Sequence, residues 1–269
     1  MPIKKDGTGK RWVEMEIITP GTPEQVWQAV ATGTGNSAWF TKATIDERVG
    51  GAVRFDMGAH GVSRGEVTTW EPPLRFGYVE RDWAEGAPPV ATEITVTPRA
   101  GGKCTVRMVH SLFTPLDEWD DQMEGFESGW PVFFDVLRLY LEHFPGRHAA
   151  SFQALQMLDG SGLDVWKRLV GALGLADANA GERRVLPVPP DQRSGIVERV
   201  QQTPTQRGVM LRLDAPSPGT ALVGTYDMGG KIVASVAMYL YGDDADAQAG
   251  AAAPKWQAWL AEALAPVSR

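Results

Sequence analysis

The residues Gly61-Val62-Ser63-Arg64-Gly65 fit G-x-S-x-G, the pattern that presents a nucleophilic serine. That chemistry needs a strand before the serine and a helix after it, so that the hydroxyl stands beside backbone donors. Here the residues that follow, GEVTTW, read as a strand, so the stretch is expected to be a β-hairpin turn. Gly33-Thr34-Gly35-Asn36-Ser37-Ala38 resembles a dinucleotide fingerprint, yet it follows a helical segment and no βαβ pattern surrounds it. There is no Walker lysine, no H-E-x-x-H and no pair of cysteines, so the sequence calls for no P-loop, metal or other cofactor.

The histidines are scattered. His143 and His148 are expected at a helix end, where a cation complements the dipole, and His60 in an exposed turn. His110 closes the alternation Cys104, Val106, Met108, His110, whose side chains share one strand face. It is either a polar group in a cavity or a hydrogen-bonded histidine at a strand end. Arg54, Glu66, Arg75, Glu80, Asp82, Glu93 and Arg107 alternate with apolar neighbours, as in an antiparallel sheet wet on one side, and most are expected to face solvent. A carboxylate turned inward would have a raised pKa and suit a general base. His110 with one such carboxylate is the acid–base nominee, and no residue is assigned a catalytic role.

The element that must position these groups runs from Pro115 to Pro145. Trp119, Met123, Phe126, Trp130, Phe133, Phe134, Leu137, Tyr140, Leu141 and Phe144 recur at helical spacing and form one apolar stripe. Asp117 stands where an N-cap would. Pro131 removes a helical hydrogen bond, which predicts a kink or a broken first segment near Gly129. The aromatic residues around that point form either a packed core or the wall of a ligand cavity.

Ahead of this helix the chain reads as strand 11–18, a helix opened by Thr22-Pro23-Glu24-Gln25 as a capping box, a short turn ending at Phe40, and strands near 43–49, 51–57, 63–70, 74–82, 91–98 and 103–111. The expected fold class is α+β, one antiparallel sheet wrapped around a long helix.

The segments TPEQVW, VGGAVRF, GEVTTWEPPLRFGY, TEITVTP, GGKCTVRMVHS and a closing helix with Gly129-Trp130 and Leu139-Tyr140-Leu141-Glu142 resemble, in that order, the START-like (SRPBCC, helix-grip) superfamily, in its branch of activator of Hsp90 ATPase homologue 1-like proteins. The resemblance covers residues 11–146 and implies the helix-grip fold. It implies no single activity, because the fold serves lipid carriers, receptors and cyclases. The pocket it implies would be lined by Trp39, Phe40, Phe55, Met57, Trp70, Phe76, Tyr78, Met108, His110, Trp119, Met123, Phe126, Trp130 and Phe134.

Residues 147–162 read as a helical or irregular connector. From 163 to 269 the layout repeats in outline: a Val-Trp pair on a short helix (Val165-Trp166, as in Val26-Trp27), strands near 195–200, 207–213, 220–227 and 230–241, and a last helix opening at Pro254. This predicts a second, shortened α+β domain of similar layout, lacking part of its early strands.

A chain of 269 residues with 43% hydrophobic and 22% charged residues is expected to be soluble and globular. Its net charge of −7 argues against nucleic acid as a standing partner. No run of 18 uncharged apolar residues suggests a membrane span or export signal, and the lone Cys104 suits a reducing cytoplasm. The leading expectation is a protein that binds a small hydrophobic molecule without chemistry. The alternatives are an enzyme on such a molecule, of cyclase, dehydratase or hydrolase type, and a chaperone-activating interaction protein. The last is disfavoured because nothing before Arg11 would make the extra amino-terminal domain of the eukaryotic activators. An exposed sheet edge would permit a homodimer.

Overall fold

In the computed structural model, residues 3–58, 61–81, 83, 86–114, 117–188 and 192–265 are described, except for the side chains of residues 118, 121, 122 and 124–128. His60 and Asp82 fall outside them. The chain divides into two units, Met1–Arg147 and His148–Arg269, each with its own sheet.

In the first unit β1 (Lys4–Lys5) pairs with β2 (Lys10–Pro20), followed by α1 (Pro23–Ala31) and α2 (Gly33–Asn36). The capping box at α1 forms: the Gln25 amide donates to the Thr22 hydroxyl at 3.3 Å, and the Thr22 amide donates to the Gln25 side chain at 2.9 Å. Then come β3 (Lys42–Ile45), β4 (Ala52–Asp56), β5 (Val62–Glu71), β6 (Arg75–Glu80), β7 (Val90–Arg99) and β8 (Lys103–Phe113). Sheet order is β1-β2-β8-β7-β6-β5-β4-β3, antiparallel throughout, so the meander closes by pairing its last long strand with the first. Ser63 is the second residue of β5 and strand follows it, so no nucleophile elbow exists there.

A 3-10 turn (Asp117–Trp119) leads into α3 (Asp120–His143). Two sequence expectations meet the structure at this point. Of the kink or broken segment expected near Gly129, the break does not occur: Pro131 lies inside one continuous helix. A proline at the twelfth helical position lacks one donor, and the apolar stripe packed on the sheet outweighs that loss. Asp117 does not cap the helix; its carboxylate meets Lys5 at 3.0 Å and Arg11 at 2.5 Å. Arg11, buried on β2, also meets Asp120 at 2.6 Å and donates from Nε to the Thr114 carbonyl at 3.0 Å. These ion pairs fasten the start of α3 to β2. Leu137, Val136, Tyr140 and Leu141 are buried farther along the helix. Sheet gripping helix is the helix-grip fold.

The second unit corrects the connector expected at 147–162. Ala149–Leu158 is a strand, β9, paired with β14 (Lys231–Tyr241) along its whole length. Its Ala, Gln, Leu and Met content favours helix in isolation, and the ladder to β14 overrides that preference. After α4 (Gly162–Ala172) come β10 (Arg183–Leu186), also absent from the sequence expectation, β11 (Arg193–Gln202), β12 (Gln206–Ala215) and β13 (Gly219–Met228). Helix α5 (Ala245–Ala263) opens nine residues before Pro254, which lies within it rather than at its first turn. Sheet order is β10-β11-β12-β13-β14-β9. The second unit therefore repeats the first: first strand beside last strand, helix between first strand and meander, long helix at the end. It has one strand fewer once the two-residue β1 is set aside. Val165 and Trp166 are buried like Val26 and Trp27, in a core with Leu211, Val223, Val236, Trp256 and Leu260. No helix among the described residues is long and apolar enough to cross a membrane.

Candidate functional site

The register of the first sheet puts Tyr78, Thr92 and His110 directly opposite one another on β6, β7 and β8. Residues opposed in this way point to the same face. Thr92 Oγ1 lies 2.8 Å from His110 Nδ1, and Tyr78 stands opposite Thr92 on the other side. All three are almost fully buried, at 4%, 2% and 4% exposure. Burial holds the His110 ring neutral, with its pKa lowered to about 3, and pushes the Tyr78 phenol well above its ordinary value. His110 is therefore a neutral hydrogen-bonding group, with its ring stacked on Trp130 of α3 at 5.4 Å and 25°.

Two residues along β6 from Tyr78, on the same face, stands Glu80. It accepts a hydrogen bond from the Ser63 hydroxyl of the neighbouring β5. Burial raises the Glu80 pKa above the ordinary carboxylate value, and the serine bond partly opposes the rise. The proximity of Glu80 adds to the rise at Tyr78.

These groups border a partly open cavity of about 290 Å³ between α3 and the sheet. Its lining is Phe40, Phe55, Met57, Ser63, Tyr78, Glu80, Trp83, Val90, His110, Gly129, Trp130 and Phe133. Phe40 is the hub of the aromatic wall: its ring lies 4.7 Å from Trp130, 5.1 Å from Phe133 at 89°, and 5.8 Å from Phe55 at 68°. A Cβ added to Gly129 would meet nothing within 4 Å.

Of the residues proposed from sequence, Phe40, Phe55, Met57, Tyr78, His110 and Trp130 border this cavity. The others pack behind or beside it. Trp39 is fully buried, donates its indole N–H to the Ala29 carbonyl at 2.9 Å and stacks on Phe134. Trp70 packs against Trp27 and Phe76, at ring distances of 5.0 and 5.6 Å. Phe76 and Met108 are core residues two register positions away from Tyr78 and His110, on the same face. Met123 joins Val13, Val90 and Leu112 in a small cluster that Trp119 packs against, and Trp119 meets Trp83 edge-on. The side chain of Phe126 lies outside the described residues.

Ser63, Glu80, Trp83, Val90, Gly129 and Phe133 were not among the proposed lining residues. Arg54, Glu66, Arg75, Glu93 and Arg107 are at the surface as expected of most strand charges, and Glu80 is the carboxylate turned inward. The signal for it was present: Phe76, Tyr78 and Glu80 alternate with Gly77 and Val79, so a face holding Phe76 and Tyr78 holds Glu80 too. His148, expected at the end of α3, instead meets Asp246 of α5 at 2.5 Å.

Residues 20–142 match the family described as activator of Hsp90 ATPase homolog 1-like protein. No curated protein matches the chain. Among solved structures, the Mesorhizobium loti protein MLL2253 is similar, with 27% identity over 50% of this chain and 98% of its own, at a TM-score of 0.46. Two others align along both units. DynU16, from the dynemicin biosynthetic locus, has 20% identity over 94% of this chain and 96% of its own, at a TM-score of 0.44. The di-domain ARO/CYC protein BexL, from the BE-7585A biosynthetic pathway, has 14% identity over 94% and 93%, at a TM-score of 0.46.

Proposed function

We propose that the first unit, which belongs through residues 20–142 to the activator of Hsp90 ATPase homolog 1-like family, binds a small, largely apolar molecule in the cavity under α3. The observation that carries this reading is the cavity itself: about 290 Å³ bordered by aromatic rings and a few polar groups, near the lower end of the roughly 300–1,000 Å³ typical of ligand sites. The ring faces of Phe40 and Trp130 suit a planar body, and the neutral His110 suits a hydrogen bond to it. Cys104, a buried free thiol, fits a reducing compartment such as the cytoplasm. The chaperone-activating role in the family's description is said of its namesakes; the occupant argued for here is a small molecule.

Native mass spectrometry of the protein purified from its own cells tests this reading. The expected spectrum carries a discrete extra mass that is lost on gentle unfolding and is absent from a Gly129→Leu variant, whose side chain enters the cavity. An extra mass that survives in Gly129→Leu would put the ligand elsewhere and end the reading.

A second reading is an enzyme acting on the same molecule. It is favoured by one observation: Glu80 and His110 border one cavity, where burial raises the pKa of the carboxyl above its ordinary value. Under that reading Glu80→Gln abolishes turnover of the bound compound while retaining its binding; undiminished turnover would remove Glu80 from the chemistry.

A further inference from the structure

We infer that the cavity selects a positively charged ligand, a protonated amine or quaternary ammonium on a compact apolar or aromatic body, with Glu80 as its counter-ion and the Phe40, Trp130 and Phe133 rings as its walls. This rests on the binding reading above and adds the charge of the ligand to it.

Glu80 borders the cavity at the end of β6. Among the described residues its carboxyl accepts from the Ser63 hydroxyl, and no Lys, Arg or protonated His stands within ion-pair distance. None of the described lining residues is Lys or Arg, and His110 is neutral. A carboxylate withdrawn from water without a countercharge is costly, and a hydroxyl returns only part of the lost solvation. Elsewhere in this unit the carboxylates drawn off the surface have cations: Glu14 is held by Lys4 and Arg107, each at 2.6 Å, and Asp120 by Lys5 and Arg11, each at 2.6 Å. Glu80 differs from these, and it borders an open space.

The walls of that space have the complementary property. Aromatic faces carry negative potential and attract a cation lying over them, best at Trp and more strongly once water is excluded. Phe40, Trp130 and Phe133 stand 4.7–5.9 Å apart at mutual angles of 36°, 89° and 64°, which turns ring faces in several directions around the cavity. An organic cation would therefore meet ring faces and a carboxylate together. An anion would be repelled by Glu80, and the chain's net charge of −7 opposes its approach. A neutral molecule would leave Glu80 protonated or uncompensated.

The groups facing Glu80 also fix the expected pH dependence. Ser63 on β5 does not titrate, Tyr78 on β6 is raised out of range, and His110 on β8 ionises only near pH 3. The described residues of α3 at the cavity, Gly129, Trp130 and Phe133, carry no charge. Among the described residues, amine affinity thus follows Glu80. It rises with pH as the carboxyl ionises, through a midpoint above the ordinary carboxylate value, and then levels off.

Calorimetric titration with three isosteric probes tests the inference: phenethylamine, 2-phenylethanol and 3-phenylpropanoate. The full-length protein, Glu80→Gln and Ser63→Ala are compared, each first checked for native circular dichroism. The expected result is phenethylamine bound at least about tenfold more tightly than the alcohol, the gain of one desolvated charge-assisted contact. The propanoate is expected to bind most weakly. Glu80→Gln is expected to bring amine and alcohol to parity while keeping alcohol binding. Ser63→Ala, which retains the carboxylate, is expected to keep the preference. An alcohol that matches the amine in the wild type, or a preference that survives Glu80→Gln, overturns the charge inference and leaves the binding reading standing. Failure of all three probes to bind at millimolar concentration overturns both.

Discussion

Thr92 Oγ1 lies 2.8 Å from His110 Nδ1 across the β7–β8 pair, and the same threonine stands opposite Tyr78 of β6 on its other side. One small residue thus stands between two ring-bearing side chains of the cavity, in a single row across three strands. The row fixes the plane of His110 against Trp130, and with it the wall of the cavity on the α3 side.

Thr92→Val keeps the volume of that residue and removes its hydroxyl. His110 then loses its hydrogen bond to Thr92 in a buried setting, which is expected to cost about 1–3 kcal/mol. Urea denaturation should show a lower midpoint with an unchanged slope. An unchanged midpoint would mean that the row adds nothing to stability.

His110 makes stability depend on pH with a definite sign. Its folded pKa, about 3, lies below the ordinary 6.5, so between those values the unfolded chain binds more protons than the folded one. The contribution is complete above about pH 6.5 and is lost as pH falls toward 3, at up to about 1.4 kcal/mol per pH unit. His110→Asn lacks this titration, so its stability is expected to fall less steeply than wild type between pH 6.5 and 4.5. Parallel curves would refute the buried neutral histidine.

Gly129 sits in α3 facing open space. Gly129→Ala is expected to raise stability by about 1 kcal/mol through helix propensity alone. Gly129→Leu is expected to remain folded and to weaken ligand binding, because its side chain occupies the cavity. Stability and binding moving in opposite directions is the signature; a destabilised Gly129→Ala would show that the space is not open.

How much of this was legible in the chain follows from what each signal measures. The capping box at Thr22 and the alternations of β2 and β4 to β8 are local patterns, and they sit where the residues indicate. The long stripe of α3 was legible too, but the effect of Pro131 was not, since packing against the sheet decides whether one missing hydrogen bond breaks a helix. The strand β9 was hidden because Ala149–Leu158 favours helix until β14 offers it a ladder. At the cavity, residue type suggested aromatics in general, and only register separates Phe40 and Tyr78, which border the space, from Trp39 and Phe76, which pack behind it. That one strand carboxylate turns inward is compatible with the sequence, and strand parity with Phe76 and Tyr78 is the signal that singles out Glu80.

The boundary of the second unit gives a further prediction. A chain starting at His148 includes β9 and is expected to fold cooperatively, with its own core of Leu211, Val236 and Trp256. One starting at Leu163 lacks the ten-residue β9 and leaves the β14 edge and the apolar face beneath it uncovered, so it is expected to aggregate or remain unfolded. Cooperative melting of the shorter chain would show that β9 is dispensable.

The measurement that bears most directly on the binding site is an NMR titration of the protein with small aromatic compounds, following the Trp130 indole and the Gly129 amide. Binding compounds are expected to shift both signals, and Gly129→Leu is expected to abolish the response of the Trp130 indole while the protein stays folded. Compounds that bind without moving these two signals, or that bind Gly129→Leu equally well, would contradict binding in this cavity.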